Sequence, residues 1–331
     1  MHIPRFGHGA AVAVAVFMSM ALAASASAST KWADLRVVTH TGRTLTEFRQ
    51  YTGPVTVRSS TKGDCFGSPS SAKRYEMSDA NALGIVKDAL ESDRALRPLV
   101  LSDAFVDDGF GLGVCTLGGF TTAGSSYWDL VVNHVTSSTG ASLTPVHNGD
   151  QILWYFTSGD EPLSGPRELV LNAPASAKPG KPFTVKATRY TSAGKGSPAA
   201  GVTVAADGKS IGRTGSDGEL TATLPDSAML QATGTGNDIP SNRSRVCVSG
   251  ATGKCSSAHG KLIYGSGHAD RIKGTRGPDR ITARGGADVI NLRSGGKDRV
   301  NCGGGRDEVI VDRGDRDDHV ASSCERVERR R

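Results

Sequence analysis

The chain has 331 residues, long enough to predict more than one domain. Lys and Arg number 39 against 33 Asp and Glu, a net charge of +6 that is too small and too dispersed for a nucleic-acid binder. With 42 glycines and only 5% aromatic residues, the composition argues against one large enzyme core and for small β-rich modules or glycine-punctuated repeats.

The N-terminus reads as a targeting segment. His2 and Arg5 precede an apolar run from Ala10 to Ala23, then the small-residue patch Ala24-Ser25-Ala26-Ser27-Ala28. This predicts a signal peptide over 1–28, cut after Ala28, and a secreted chain with no membrane span. All six cysteines follow it, and an even count in an exported chain predicts disulfides. Their placement favours Cys65–Cys115, Cys247–Cys255 and Cys302–Cys324. No CxxC and no Cys/His set with zinc spacing occurs.

Residues 29–165 read as an α+β module. Leu35, Val37 and Thr39 alternate, as do Val55 and Val57, as expected of a half-buried sheet. Ala82, Leu83, Val86 and Leu90 recur at helical spacing through Ser92, with an N-cap expected at Ser78-Asp79. Two strong strands follow, Trp128–Val132 and Gln151–Phe156. The run Tyr127-Trp128-Asp129-Leu130-Val131-Val132-Asn133, followed by Gly149-Asp150-Gln151-Ile152-Leu153-Trp154, resembles the β-grasp domain at the C-terminal end of transcobalamin-like proteins. His134 stands where that family usually has Gly. The resemblance implies a β-grasp fold and makes Trp128, Trp154 and Tyr155 a candidate ligand surface.

Residues 166–249 alternate in short runs, Phe183–Ala187, Val202–Val204 and Leu220–Leu224, separated by Pro-Gly and Asp-Gly turns. This predicts a β-sandwich. The stretch from Ala200 to Gly218 is similar to bacterial immunoglobulin-like surface repeats, which implies a spacer. Residues 250–262 read as a Ser/Gly/Lys linker.

The C-terminal region, residues 263–331, is periodic. Asp270, Asp279, Asp288, Asp298 and Asp307 recur at steps of nine, nine, ten and nine. Two residues after each comes an aliphatic, Ile272, Ile281, Ile290, Val300 and Val309, and Gly277, Gly286, Gly296 and Gly305 each precede their Asp by two. Gly265 and Gly274 open the first two repeats. Over residues 264–311 the pattern resembles the RTX, or hemolysin-type, calcium-binding nonapeptide repeat. Two such repeats make one coil of a parallel β-roll, and repeats two apart share a side. Asp270 then pairs with Asp288, Asp279 with Asp298, and Asp288 with Asp307. Paired carboxylates and turn carbonyls are the hard oxygen donors that Ca²⁺ takes. Arg271, Arg276, Arg280, Lys297, Arg299 and Arg306 crowd these positions, and Arg–Asp ladders are the metal-free alternative. A Cys302–Cys324 bond is expected to cap the roll, with Asp318-His319-Val320 as a degenerate last repeat.

No GxSxG, HExxH, P-loop or GxGxxG occurs, and the histidines are scattered. The expectation is a mainly β, multi-domain architecture: a β-grasp domain, a β-sandwich and a parallel β-roll. The chain is expected to be a secreted, calcium-binding protein of a binding or adhesion type, without catalytic activity. The partner is an unknown extracellular or cell-surface ligand, with an anionic wall polymer as the sharper option for the terminal arginines. The alternative is a small-ligand carrier using the β-grasp domain. The first two modules are expected to be indifferent to a calcium chelator.

Overall fold

The computed structural model describes residues 29–157, 167–248, 260–314 and 317–330. The expected signal peptide and Cys255 lie outside the described residues. The architecture is mainly β, with several sheets and one α-helix longer than a single turn among the described residues.

The N-terminal sheet contains β1 (Lys31–Val38), β2 (Thr44–Thr52), β3 (Trp128–Val132), β4 (Val135–Thr136) and β5 (Asp150–Phe156). Its order is β2-β1-β5-β3-β4, with β1 antiparallel to β2 and parallel to β5. That mixed order, with helix α1 (Ala82–Ser92) packed on one face, is a β-grasp. Ala33, Leu35 and Val37 of β1 and Trp128, Ile152 and Trp154 meet Leu83, Ile85 and Val86 of α1 in one core. The helix starts at Asn81, whose side chain accepts the Gly84 N–H at 2.9 Å. The cap expected at Ser78-Asp79 is corrected. Those two side chains bond each other instead, and Asn81 stands the right distance from the third helical N–H. The Cys65–Cys115 bond ties the loop between the paired strands Val55–Arg58 and Arg74–Met77 to Gly113–Leu117, the middle strand of a separate three-stranded sheet.

The sheet is buried on both faces, where a half-buried one was expected. Val38, Val131, Leu153 and Tyr155 point away from α1 and are covered by Ile239 of the sandwich. The sandwich has two sheets around a core of Leu169, Leu171, Val185, Val204, Leu230 and Val246. One contains Arg167–Asn172 and Phe183–Tyr190, the other Thr203–Ala206, Ala228–Thr233 and Ser244–Val248. Cys247 at its edge is disulfide-bonded.

The sandwich also accounts for His134. Asn133 and His134 both have positive φ, 49° and 72°, which favours glycine at the second position. His134 is held there by Glu168 of the sandwich, 2.8 Å from its Nδ1, and by stacking on Tyr190 at 4.0 Å. Arg36 donates to the same Glu168 and to the Pro240 carbonyl.

The C-terminal part is a parallel β-roll. Its strands are β6 (Leu262–Tyr264), β7 (Arg271–Lys273), β8 (Arg280–Thr282), β9 (Val289–Asn291), β10 (Arg299–Asn301), β11 (Glu308–Asp312), β12 (His319–Val320) and β13 (Arg326–Arg330). Alternate strands form the two walls, β6-β8-β10-β12 and β7-β9-β11-β13. Ile263, Ile272, Ile281, Ile290, Val300 and Val309 stack between them. Ala283, Leu292, Cys302 and Val311, at the repeat's first position, are buried in the same core. The arginine-rich end forms the last strand of the second wall as far as Arg330.

The expectation of independent modules is corrected. Strand β6 pairs in parallel with β2, Arg49 opposite Ile263 and Gln50 opposite Tyr264, so the roll's first wall continues the β-grasp sheet into nine strands. Tyr51 of β2 is buried in the roll's core. Gln50 donates to the Gly265 carbonyl at 3.0 Å. Arg284 occupies a left-handed turn (φ 77°) and reaches α1, donating to the Asp88 carbonyl at 2.8 Å and to Ser92. The exposed row of backbone groups at the start of the roll is thus covered by β2.

Candidate metal centre

Each repeat turns before its Asp, and the roll brings those turns into two stacked columns. Along one, the Asp270 N–H donates to Asp288 Oδ1 at 2.8 Å, the Asp288 N–H to Asp307 Oδ1 at 2.9 Å, and the Asp307 N–H to Glu325 Oε2 at 2.8 Å. Along the other, the Lys261 N–H donates to Asp279 Oδ1 at 2.7 Å, the Asp279 N–H to Asp298 Oδ1 at 2.8 Å, and the Asp298 N–H to Asp318 Oδ1 at 3.0 Å. The three carboxylate pairs expected from the spacing are therefore neighbours in space. Each acid ties its own coil to the one before it.

The five aspartates are buried, none more than 2% exposed. Among the described residues, Asp270, Asp279, Asp288 and Asp307 form no ion pair, so the Arg–Asp ladder considered as the metal-free alternative is not what holds them. Their polar needs are met unequally. Asp270 accepts from the Ser266 N–H at 2.6 Å and from the Ser266 hydroxyl. Asp279 accepts from the Thr275 N–H and, at 2.7 Å, from its hydroxyl. Ser266 and Thr275 stand where the repeat usually has its second glycine. Before Asp288 and Asp307 the same place is held by Arg284 and Gly303, which have no hydroxyl, and the Oδ2 atoms of Asp288 and Asp307 are buried without a hydrogen bond. Burial pushes the Asp288 carboxyl up to about 7, and the neighbouring Asp270 and Asp307 charges push the same way.

The glycines divide in the same manner. Gly286, Gly296 and Gly305 have φ of 114°, 119° and 139°. A Cβ on Gly305 would lie 1.7 Å from the Gly286 carbonyl oxygen, and one on Gly296 2.5 Å from that of Gly277. The turn glycine of each coil thus lies against the turn carbonyl of the coil before it, with no room for a side chain. The Gly265 carbonyl is taken by Gln50 and the Gly274 carbonyl by Ser294 Oγ at 2.8 Å. Buried, unbonded carboxylate oxygen in a glycine-rich turn is a hard donor that fits Ca²⁺ at Asp288 and Asp307. Asp270 and Asp279, with Gly265 and Gly274, have protein partners already. No group of three or more His, Cys, Asp or Glu with metal-holding geometry occurs among the described residues, so any site there takes most of its oxygens from the backbone.

Glu325 was missed in the sequence, although Glu325-Arg326-Val327 repeats the acid-x-aliphatic signal eighteen residues after Asp307. Val327 is in register with Val309. Asp318-His319-Val320 is a repeat, as expected, and Cys302–Cys324 closes the end. The ligand surface expected at Trp128, Trp154 and Tyr155 is corrected. All three rings are buried, two under α1 and Tyr155 under the sandwich, because the sheet is covered on both sides.

Residues 264–296 match the family model of the RTX calcium-binding nonapeptide repeat (4 copies), and residues 114–158 match that of a domain of unknown function (DUF4430). RTX nonapeptide repeats bind calcium, so Ca²⁺ is the cofactor of this segment. No curated protein and no solved structure matches the chain. Among the described residues no helix is long and apolar enough to cross a membrane.

Proposed function

We propose that this is a secreted, non-catalytic binding protein whose calcium-loaded roll holds the two preceding modules in place. The units are the β-grasp domain over 29–165, an immunoglobulin-like sandwich over 166–249 and the roll over 263–331, with signal peptide 1–28 removed. The observation that carries the calcium assignment is the pair of buried, unbonded Oδ2 atoms on Asp288 and Asp307. Desolvated carboxylate oxygen without a partner costs several kcal/mol, and a divalent cation removes that cost. Asp288 and Asp307 would supply the charge and the carbonyls of the intervening turns the remaining oxygens. The affinity expected of an extracellular site is ~0.1–1 mM. Repeats and disulfides of this kind are typical of extracellular proteins. Adhesion to an extracellular surface is supported by the basic composition and by rings too buried to line a carrier's pocket.

Calorimetric titration of the full chain with CaCl₂ tests the assignment. Asp288→Asn and Asp307→Asn should each weaken binding about tenfold or more, whereas Asp270→Asn, whose carboxylate is served by Ser266, should change it by less than about threefold. Equal losses at all three positions, or no binding heat in the unmodified chain, would remove Asp288 and Asp307 from the role.

A further inference from the structure

The outer face of the first wall carries a feature that calcium does not use. A groove of about 840 Å³ runs between this face and the paired Met229 and Arg245 of the sandwich. In parallel register Leu262, Arg280, Arg299 and His319 form one column across β6, β8, β10 and β12. Adjacent strands are about 4.8 Å apart, so Arg280 and Arg299 are direct neighbours. Both are exposed, as is Arg245, and none of the three forms an ion pair among the described residues.

Like charges opposite one another on adjacent strands destabilise a sheet. The second wall avoids this: Arg326 is in register with Glu308 at 3.8 Å, and Arg293 meets Asp312 at 3.1 Å. In the groove the other cations are compensated, Lys261 by Asp34 at 2.5 Å and Lys297 by Asp317 at 3.0 Å. The acids below, Asp279 and Asp298, are turned inward and accept backbone N–H groups. The uncompensated surface is thus the line Arg245, Arg280 and Arg299, with His319 next in the column.

We propose that this groove binds a linear phosphodiester polyanion whose repeating unit carries no ring. The guanidinium fork matches phosphate oxygens in pairs, and an exposed row of forks meets successive phosphates along a chain. Among the described residues no Phe, Tyr or Trp lines the groove. A nucleic acid draws much of its single-strand affinity from stacking on such rings, and this groove offers none. The inference rests on reading the chain as an extracellular binding protein, and it names the ligand of that protein and a site distinct from the calcium ligands.

The test is binding of poly(glycerol phosphate) to the full chain, followed by fluorescence anisotropy at several salt concentrations. The double variant Arg280→Gln/Arg299→Gln should bind at least tenfold more weakly, with a log-affinity against log-salt slope shallower by about one to two. Arg271→Gln/Lys273→Gln, on the opposite wall, should bind within twofold of the unmodified chain. Arg280→Lys/Arg299→Lys keeps the charge but loses the fork and should fall between them, which preserves the test if the Gln variant misfolds. Binding unchanged in the Gln variant overturns the proposal. So does an equal loss on the opposite wall, or a single-stranded oligonucleotide of equal charge that binds as tightly. Calcium titration of the unmodified chain separates the two readings: a normal calcium response with no binding of poly(glycerol phosphate) to that chain defeats the groove alone, and an unchanged calcium response in the Gln variant shows that its loss of polyanion binding is not misfolding.

Discussion

Truncating Tyr51 should destabilise the roll, although Tyr51 lies more than two hundred residues before its first strand. The ring is 2% exposed and packs at the open end of the Ile263–Ile272–Ile281 stack. Removing a buried aromatic of this size costs about 3–5 kcal/mol through lost burial and the cavity left behind. For a cooperative unit of about 150–250 residues, 1 kcal/mol moves the midpoint by about 2–4 °C, so Tyr51→Ala should lower it by roughly 6–20 °C. The fall should appear in the transition that calcium raises, because β2 and β6 share hydrogen bonds and Tyr51 shares the roll's core. Differential scanning calorimetry with and without chelator reads both effects. Hydrogen exchange at Arg49, Gln50 and Tyr51 adds a local check, since chelator should speed exchange there as well as in β8 and β10. A loss below about 1 kcal/mol, or β2 amides indifferent to chelator while β8 amides respond, would refute the shared core.

Two further perturbations probe the turns and the α1 contact. Gly305→Ala places a Cβ 1.7 Å from the Gly286 carbonyl oxygen at a φ of 139°, and urea denaturation should show a loss of at least ~2 kcal/mol. Gly304→Ala, one residue away with open space at its Cβ position, should stay within about 0.5 kcal/mol. Asp88 is pushed up to about 6 by burial, the nearby Thr52 hydroxyl and the charge of Arg284 being too weak to offset it. The folded state therefore keeps a proton that the unfolded chain releases above the ordinary value of 3.8, and stability should fall as pH rises from about 4 to about 6. Asp88→Asn should flatten that segment of the stability-against-pH curve, and an unchanged slope would show that another group sets it.

The roll was legible because its information is local and repeated. A period of nine places each aliphatic on one wall and each acid at one turn, so the eighteen-residue pairing of Asp270 with Asp288 follows by counting. What the acids bond was not legible, since the partner is a backbone N–H and carries no residue code. The helix was legible by spacing, while its cap was displaced because Ser78, Asp79 and Asn81 are all competent caps and only geometry chooses Asn81. The aromatic strands Trp128–Val132 and Asp150–Phe156 were read correctly as strands and incorrectly as a ligand surface. Alternation reports which residues avoid water, and a near-continuous apolar run such as Gln151–Phe156 reports a strand covered on both faces. Its second cover, the sandwich, is held by Glu168, a residue that reads as an ordinary surface acid until Arg36 and His134 are seen to converge on it.

The two ends of the roll show why one cap was found in the sequence and the other was not. Any stack of parallel strands ends in unpaired N–H and C=O groups that must be covered. At the C-terminal end the cover comes from the next twenty residues and is marked by a cysteine pair, so Cys302 and Cys324 announce it. At the N-terminal end the cover is β2, which left only Gln50 and Tyr51 as signs. A polar and an aromatic residue at successive strand positions read as a half-exposed strand, yet both are buried, Gln50 against the Gly265 carbonyl and Tyr51 in the isoleucine stack. Two adjacent buried side chains must point to opposite faces of a strand. A strand that buries both therefore needs a covering layer on each face, and the roll supplies one of them. In this way the metal-bearing repeats and the β-grasp domain come to share one sheet. On the proposed assignment, calcium at Asp288 and Asp307 should then stabilise more of the chain than the coils that hold it.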